Sequence, residues 1–426
     1  MGILITVTLI VTMLIGVPVG MCLAIAALVG MLMISTDVLI MMPQKFISGL
    51  DSFPLLAIPL FVLAGQLMAK GGLARRIVDL SLVFVGHIRG GLGLVVIFST
   101  MLMSGISGSP AANTAAIGSI AVPAMKKRQY PDGFATAILA AAGGVSTLVP
   151  PAIDLIIIGV IANISISALF AAGVLPALLC GVAIMILANY KARKLELPLI
   201  EPMTTKEKLT TLRDGFLPIL MVLIILGGIY GGVFTPTEAA AVAVVYGFLV
   251  AFFVYKELKL RDLPEVLLKT CSLTGVVLLV LATASIFSFV LTFEGIPLAM
   301  ADMITEYAVN WIVFILFVHI LFFVLGMVMD CLPPILILMP ILVPVAAAMG
   351  IDPIHFGIIV AANVGLGMVS PPVGICLFVA CGVGDTPIER VVRPLLPFLL
   401  VLVISLMVIT FVPQLTLFLP AFFGLS

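Results

Sequence analysis

Four short stretches of this chain place oxygen-bearing residues inside otherwise apolar sequence: SGISGSPAANT (104–114), GGVSTLVPPAID (143–154), GMVMDCLPP (326–334) and NVGLGMVSPP (363–372). Each joins Gly or Pro to hydroxyls, amides or a carboxylate. Such segments interrupt helices, and unwound carbonyls together with Ser, Thr and Asn oxygens make a cage suited to a hard monovalent cation such as Na⁺. A helix restarting after a break presents the positive end of its dipole, which suits a carboxylate. No Lys or Arg falls within the four stretches, so an anionic ligand would be held by helix ends, hydroxyls and bound cations. That chemistry is the joint binding of an anion with its cations. Asp330 invites a cation-site or tip-ordering role, and Asp154 either serves a cation or faces water in a cavity. His87, His319 and His355 form no motif and read as snorkelling or surface residues. With no nucleophile–base set and no His/Cys/Glu cluster at ligand spacing, catalysis is not expected.

The elements that must position these groups repeat. Pro371-Pro372 follows Pro150-Pro151 at an offset of 221 residues, and at the same offset Gly105 meets Gly326, Pro123 meets Pro344, Gly144 meets Gly365, and Pro176 meets Pro397. One duplication with a helix broken at the same place in each half marks a transporter's binding site. The charges add independent information. The first-half loop MKKRQYPDGF is basic while its partner AMGIDPIHF is not, and DTPIERVVR is basic while its partner ANISISA is not. Under the positive-inside rule this swap makes the repeat inverted.

The surrounding sequence belongs in a membrane. It is 63% hydrophobic and 9% charged, with a mean hydropathy of +1.38, and apolar runs of spanning length recur throughout. Lys+Arg and Asp+Glu balance at 20 each, which gives no sign of a nucleic-acid partner. The six cysteines lie in or beside apolar segments and read as small hydrophobes. The N-terminus has no basic leader and is expected to be a retained helix. Because backbone groups in lipid must be satisfied internally, the long runs are helices.

The expected order is helices 2–16, 18–35 and 52–69, an interfacial arm 72–88, a re-entrant hairpin 89–128, a broken helix 133–161 and a returning helix 173–190. The second half repeats it upside down: 216–233, 236–255, 271–292, an arm 295–308, a hairpin 309–348, a broken helix 355–382 and a last helix 395–420. The units are then 1–195 and 216–426, joined by a polar cytoplasmic linker 196–215. This all-α polytopic plan has about ten crossings, two re-entrant hairpins and both termini outside.

Three segments carry a family resemblance: GGIYGGVFTPTEAAAVAVVYG (227–247), GMVMDCLPPILILMPILVP (326–344) and GLGMVSPPVG (365–374). They resemble the large membrane subunit of tripartite ATP-independent periplasmic (TRAP) transporters, the DctM-like and SiaM-like family, over essentially the whole chain. The resemblance implies an elevator-type transporter in the bacterial inner membrane, driven by a sodium gradient. It implies a small four-helix membrane subunit (DctQ-like) and a soluble periplasmic binding protein (DctP-like) as partners. The cargo would be an organic acid such as a C4-dicarboxylate, a sialic acid or another sugar acid, with no cofactor besides sodium. Its first sodium site maps onto Ser104, Ser109, Asn113, Gly144 and Thr147, and its second onto Gly326, Asp330, Gly365 and Ser370. Substrate contacts would come from Asn113, Thr114, Pro150, Pro151, Asp154, Pro371 and Pro372. Glu238 of TPTEAAA reads as an N-terminal residue favoured by the helix dipole. The alternatives are a single-component cation-coupled carboxylate carrier and a membrane subunit of an energy-converting complex, although the second would need a chain of intramembrane ionisable groups.

Overall fold

The computed structural model describes residues 2–199, 203–296 and 310–425, and these are helical throughout with no strand among them. The first half contains α1 (Gly2–Leu14), α2 (Val19–Ile34), α3 (Met41–Ser48), α4 (Ala57–Lys70), α5 (Leu73–Val85), α6 (Gly91–Ser107), α7 (Pro110–Lys127), α8 (Asp132–Val145), α9 (Ile153–Ala162) and α10 (Ile166–Lys194). The second contains α11 (Thr205–Tyr230), α12 (Pro236–Leu249), α13 (Leu263–Phe293), α14 (Trp311–Val328), α15 (Leu332–Ala348), α16 (Pro353–Gly367), α17 (Ile375–Gly384), α18 (Ile388–Phe411) and α19 (Gln414–Phe422). Both expected hairpins are present, as α6–α7 and α14–α15. Both expected interrupted helices are present too, as α8–α9 and α16–α17.

Helix starts follow local chemistry. Thr204 with Glu207, and Thr235 with Glu238, form capping boxes in which each carboxylate also accepts from the cap residue's own N–H at 2.8 Å. Glu238 is thus a cap residue in the first turn of α12, as its place after Pro236 suggested. The Thr204 box starts α11 inside the stretch read as linker. At the first hairpin tip, Gly108 takes a left-handed φ of 64° and Ser109 caps α7, with Pro110 as its first residue.

Four details depart from the sequence reading. Helix α3 and the short 3₁₀ turn before it occupy Thr36–Ser48, where no element was expected. The last helix, read as one piece over 395–420, stops at Phe411 and restarts at Gln414, because Pro413 cannot continue the backbone ladder. The arms of the second hairpin diverge: α14 leans on α16, whereas α15 leans on α9 and α13. Finally, seven helices are long and apolar enough to cross a membrane by themselves among the described residues, and α14 is one of them. The other apolar helices are 10–17 residues long, short of the ~20 needed at 1.5 Å per residue. The second arm, 295–308, lies almost wholly outside the described residues.

Two groups of helices each pack together: α1, α2, α4, α5, α11, α12 and α13 in one, and the hairpins, the interrupted helices and α10, α18 and α19 in the other; the groups meet where α4 and α5 pack on α6 and where α13 packs on α15. Large apolar side chains such as Leu14, Ile40, Leu268 and Phe422 point outward, as lipid-facing surface requires. The basic ends of the two halves meet at one end of the molecule. Lys70 pairs with Glu265 at 2.7 Å, and Arg76 pairs with Glu257 at 2.7 Å while lying 3.7 Å from the centre of the Tyr255 ring. Arg76 therefore pins the arm α5 to the end of the α12 segment through both charge and stacking. Arg76→Ala should raise hydrogen exchange in α5 selectively, and Arg76→Lys should restore only part of the protection, because lysine keeps the charge without the planar stack.

Candidate cation and substrate site

The two breaks cross at their repeated glycines. Gly144 and Gly365 occupy equivalent places in the repeat, and their backbones touch: a Cβ on Gly144 would lie 2.6 Å from the Gly365 carbonyl oxygen. A Cβ on Gly365 would in turn strike the Gly144 carbonyl and the Thr147 hydroxyl. Only hydrogen fits at this crossing. Gly326 meets Gly367 in the same way, which seats α14 against the second break.

Each break is also tied to the tip of its own hairpin. Ile153 N donates to Gly108 O at 3.3 Å, and Gly374 N donates to Met327 O at 2.9 Å. Ile153 and Gly374 are again equivalent by the 221-residue offset. Unwound backbone inside a membrane needs such partners, so these two bonds fix where tip and break can meet. Both Pro-Pro bonds, Pro150-Pro151 and Pro371-Pro372, are cis.

Around this frame lie the residues singled out in the sequence. Ser104, Thr147, Thr114 and Ser370 are buried, and each hydroxyl donates to a backbone carbonyl: Ser146 O at 2.7 Å, Gly144 O at 3.1 Å, Pro110 O at 2.8 Å and Leu366 O at 2.8 Å respectively. With the proton so used, the hydroxyl lone pairs stay available to a cation. The Ser104 bond joins the first hairpin directly to the first break. Asn113, fully buried, accepts from Ser107 Oγ at 2.5 Å, and in this orientation its Nδ2 has no partner. Ser109 is half-buried and serves as the α7 cap. Gly365 lies against the first break as well as its own, so it belongs to the crossing more than to the second hairpin.

The two halves differ in access. Pro150, Pro151 and Asp154 are buried, whereas Pro371 is half-buried and Pro372 and Asp330 are exposed. Asp330 sits at the second tip, where its Oδ1 accepts from Cys331 N at 2.8 Å.

Two of the three histidines overturn their sequence reading, while His87 is exposed as expected. His319 and His355 are buried and belong to one polar chain. Asn363 Nδ2 donates to His319 Nδ1 at 2.5 Å, His319 Nε2 meets Thr410 Oγ1 at 3.1 Å, and His355 bridges Thr410 O and Thr416 Oγ1 at 3.2 and 2.8 Å. The carbonyl can only accept, so His355 carries its proton on Nε2. This chain holds the corner around Pro413 and links it through His319 to Asn363 near the second break. The residues are 44 and 91 apart in sequence, so no local motif announces it. The sole signal was an Asn in an apolar helix two residues before a repeated glycine.

The comparisons with known proteins agree with this geometry. The family model "Tripartite ATP-independent periplasmic transporter, DctM component" matches residues 6–415. The chain belongs to the DctM family. It is a large permease subunit of a TRAP transporter, and a multi-pass membrane protein. It is 40% identical to the C4-dicarboxylate TRAP transporter large permease protein DctM of Pseudomonas aeruginosa, covering 95% of each chain. It is 38% identical to the sialic acid TRAP transporter large permease protein SiaM of Vibrio cholerae, covering 96% of each. Among solved structures, the YdaH transporter of Alcanivorax borkumensis, described as having an unusual topology, superimposes with a TM-score of 0.67 at 15% identity over 88% of each chain. That likeness shows the fold.

The glycine crossing makes a sharp stability prediction. Gly365→Ala should cost about 1–3 kcal/mol through overpacking against backbone, read as a lowered thermal midpoint of the purified protein. Gly275→Ala, on α13 where nothing stands near, should leave the midpoint unchanged or slightly raised.

Proposed function

We propose that this chain is the translocating subunit of a sodium-driven importer of an organic acid, moving by an elevator mechanism. The observation that carries the reading is the convergence of two tip-to-break backbone bonds and four hydroxyls that donate to backbone carbonyls around one glycine crossing. Oxygen lone pairs and unwound carbonyls favour Na⁺. The free Nδ2 of Asn113 and the restarting helices favour a carboxylate.

In this reading the first sodium ion draws on Ser104, Gly144 and Thr147, and the second on Gly326, Asp330, Gly365 and Ser370. Ser109 contributes through the tip backbone that it caps. Asn113, Thr114 and the two Pro-Pro breaks face the acid. The cluster of hairpins, interrupted helices, α10, α18 and α19 moves as a block past α1–α5 and α11–α13. Repeat one spans 1–195 and repeat two 216–426, with the basic end cytoplasmic and both termini periplasmic in the inner membrane. The exposed second break and the closed first break represent one of two related states, and binding both ligands favours closure over them. A DctQ-like small subunit and a DctP-like binding protein complete the system. C4-dicarboxylates, sialic acids and other sugar acids are the cargo classes to test.

The test is uptake of labelled acids into proteoliposomes holding the chain, its small subunit and the binding protein under an inward Na⁺ gradient. Uptake that needs both Na⁺ and the binding protein supports the proposal. Na⁺-driven uptake without the binding protein favours a single-component carrier, and uptake indifferent to replacing Na⁺ with K⁺ contradicts sodium coupling. In the active system, Ser104→Ala should raise the Na⁺ concentration for half-maximal uptake by roughly fivefold, the loss of about 1 kcal/mol expected for one hydrogen-bonding oxygen.

A further inference from the structure

Asp154 is the most anomalous group in the site. It lies in the first turn of α9 and is 1% exposed. It does not cap its helix: Ala152 is the cap residue, with no side-chain cap bond. The carboxylate faces the second hairpin tip instead, where the Cys331 thiol stands between it and Asp330. Cys331 is buried and donates its thiol proton toward Asp330 Oδ1 at 3.3 Å. The second Asp154 oxygen, Oδ2, is buried with no partner at all.

Among the described residues no ion pair is formed with either carboxylate. Lys70, Arg76 and Lys269 form ion pairs at the basic end, and none of these involves Asp154 or Asp330. A buried carboxylate with an unsatisfied oxygen is costly unless something positive joins it. The surroundings extend the set of donors. Cys376, on α17, is buried, and it and the Thr114 hydroxyl both stand against Gly143. One small volume therefore gathers groups from α7, α9, α17 and the second tip, and Asp330 opens its outer side to solvent.

We propose that Asp154 and Asp330 form a cation-binding site that bridges the first break and the second hairpin tip and takes one monovalent cationic group. The occupant is free Na⁺ or the ammonium of a zwitterionic acid. Because one carboxylate belongs to the break and the other to the tip, occupancy draws the exposed tip onto the buried break. The site deepens the transport reading, but cation binding is measured without any transport, so the two can fail separately.

The experiment uses the full chain with its small subunit in lipid nanodiscs. Its thermal midpoint is followed against NaCl, methylammonium chloride, KCl and choline chloride at constant ionic strength, for the unaltered protein, Asp154→Asn, Asp154→Glu and Asp330→Asn. Free Na⁺ as occupant predicts stabilisation by NaCl whose half-point rises by about tenfold or more in Asp154→Asn and Asp330→Asn and is partly kept in Asp154→Glu. An ammonium occupant predicts the same pattern for methylammonium, with the NaCl response unmoved in Asp154→Asn. A second reading needs no variant: alkylation of Cys331 by N-ethylmaleimide, followed by mass spectrometry, should slow in the cation that binds and not in choline. The proposal is overturned if Cys331 labelling ignores every cation, or if folded Asp154→Asn responds to all of them as the unaltered protein does.

Discussion

The rest of this structure depends on one contact, the passage of two interrupted helices across each other at Gly144 and Gly365. Backbone meets backbone there, with Thr147 and Val369 packed against the two glycines so that no further side-chain atom fits. The crossing sets the depth of both breaks, which in turn sets where the restarting helices α9 and α17 aim their N-termini. Each hairpin tip is then placed by a single backbone hydrogen bond to its break. The oxygen donors gather at this centre because the crossing leaves them nowhere else to converge.

A membrane makes such an arrangement demanding. Every unwound N–H and C=O must find a partner without help from water. The chain meets that demand in part with one backbone bond from each break to its tip and with hydroxyls that donate their protons to nearby carbonyls. What remains unsatisfied is correspondingly informative. Among the described residues, Asn113 Nδ2, Ser146 Oγ, Asp154 Oδ2, Tyr230 Oη, Thr274 Oγ1 and Asn363 Oδ1 are buried without partners, and two of these six, on Asn113 and Asp154, lie on residues singled out in the sequence for binding. The asymmetry of the halves has the same origin. The first hairpin packs its arms together, while the second lets them diverge onto α16 and α9, leaving its tip and break exposed.

Much of the architecture was legible because the duplication repeats its Pro-Pro pairs and glycines without a gap. The hairpins, the interrupted helices and the place of Glu238 in the first turn of its helix follow from local chemistry that a sequence displays. Other features depend on partners distant in the chain. Nothing near Asp154 in sequence shows that it faces Cys331, and nothing near His319 announces Thr410. The divergence of α14 from α15 is set by where α9 and α13 present their surfaces. Helix α3 was hidden because MMPQKFIS is short, mixed in polarity and carries a proline. The break at Pro413 was overlooked because the apolar run continues through it. Periodicity thus gave the elements, whereas the contacts that specify the site arise only when the two halves meet.

The central claim is that one site binds the acid and its cations together. Equilibrium binding of a transported acid to the nanodisc-embedded permease, titrated at a series of Na⁺ concentrations, tests it most directly. Linkage requires that Na⁺ tighten the acid by the same factor by which the acid tightens Na⁺. The account predicts that reciprocal tightening, together with its loss when the crossing is disrupted by Gly365→Ala in folded protein. Acid affinity that stays constant from zero to saturating Na⁺ would contradict it.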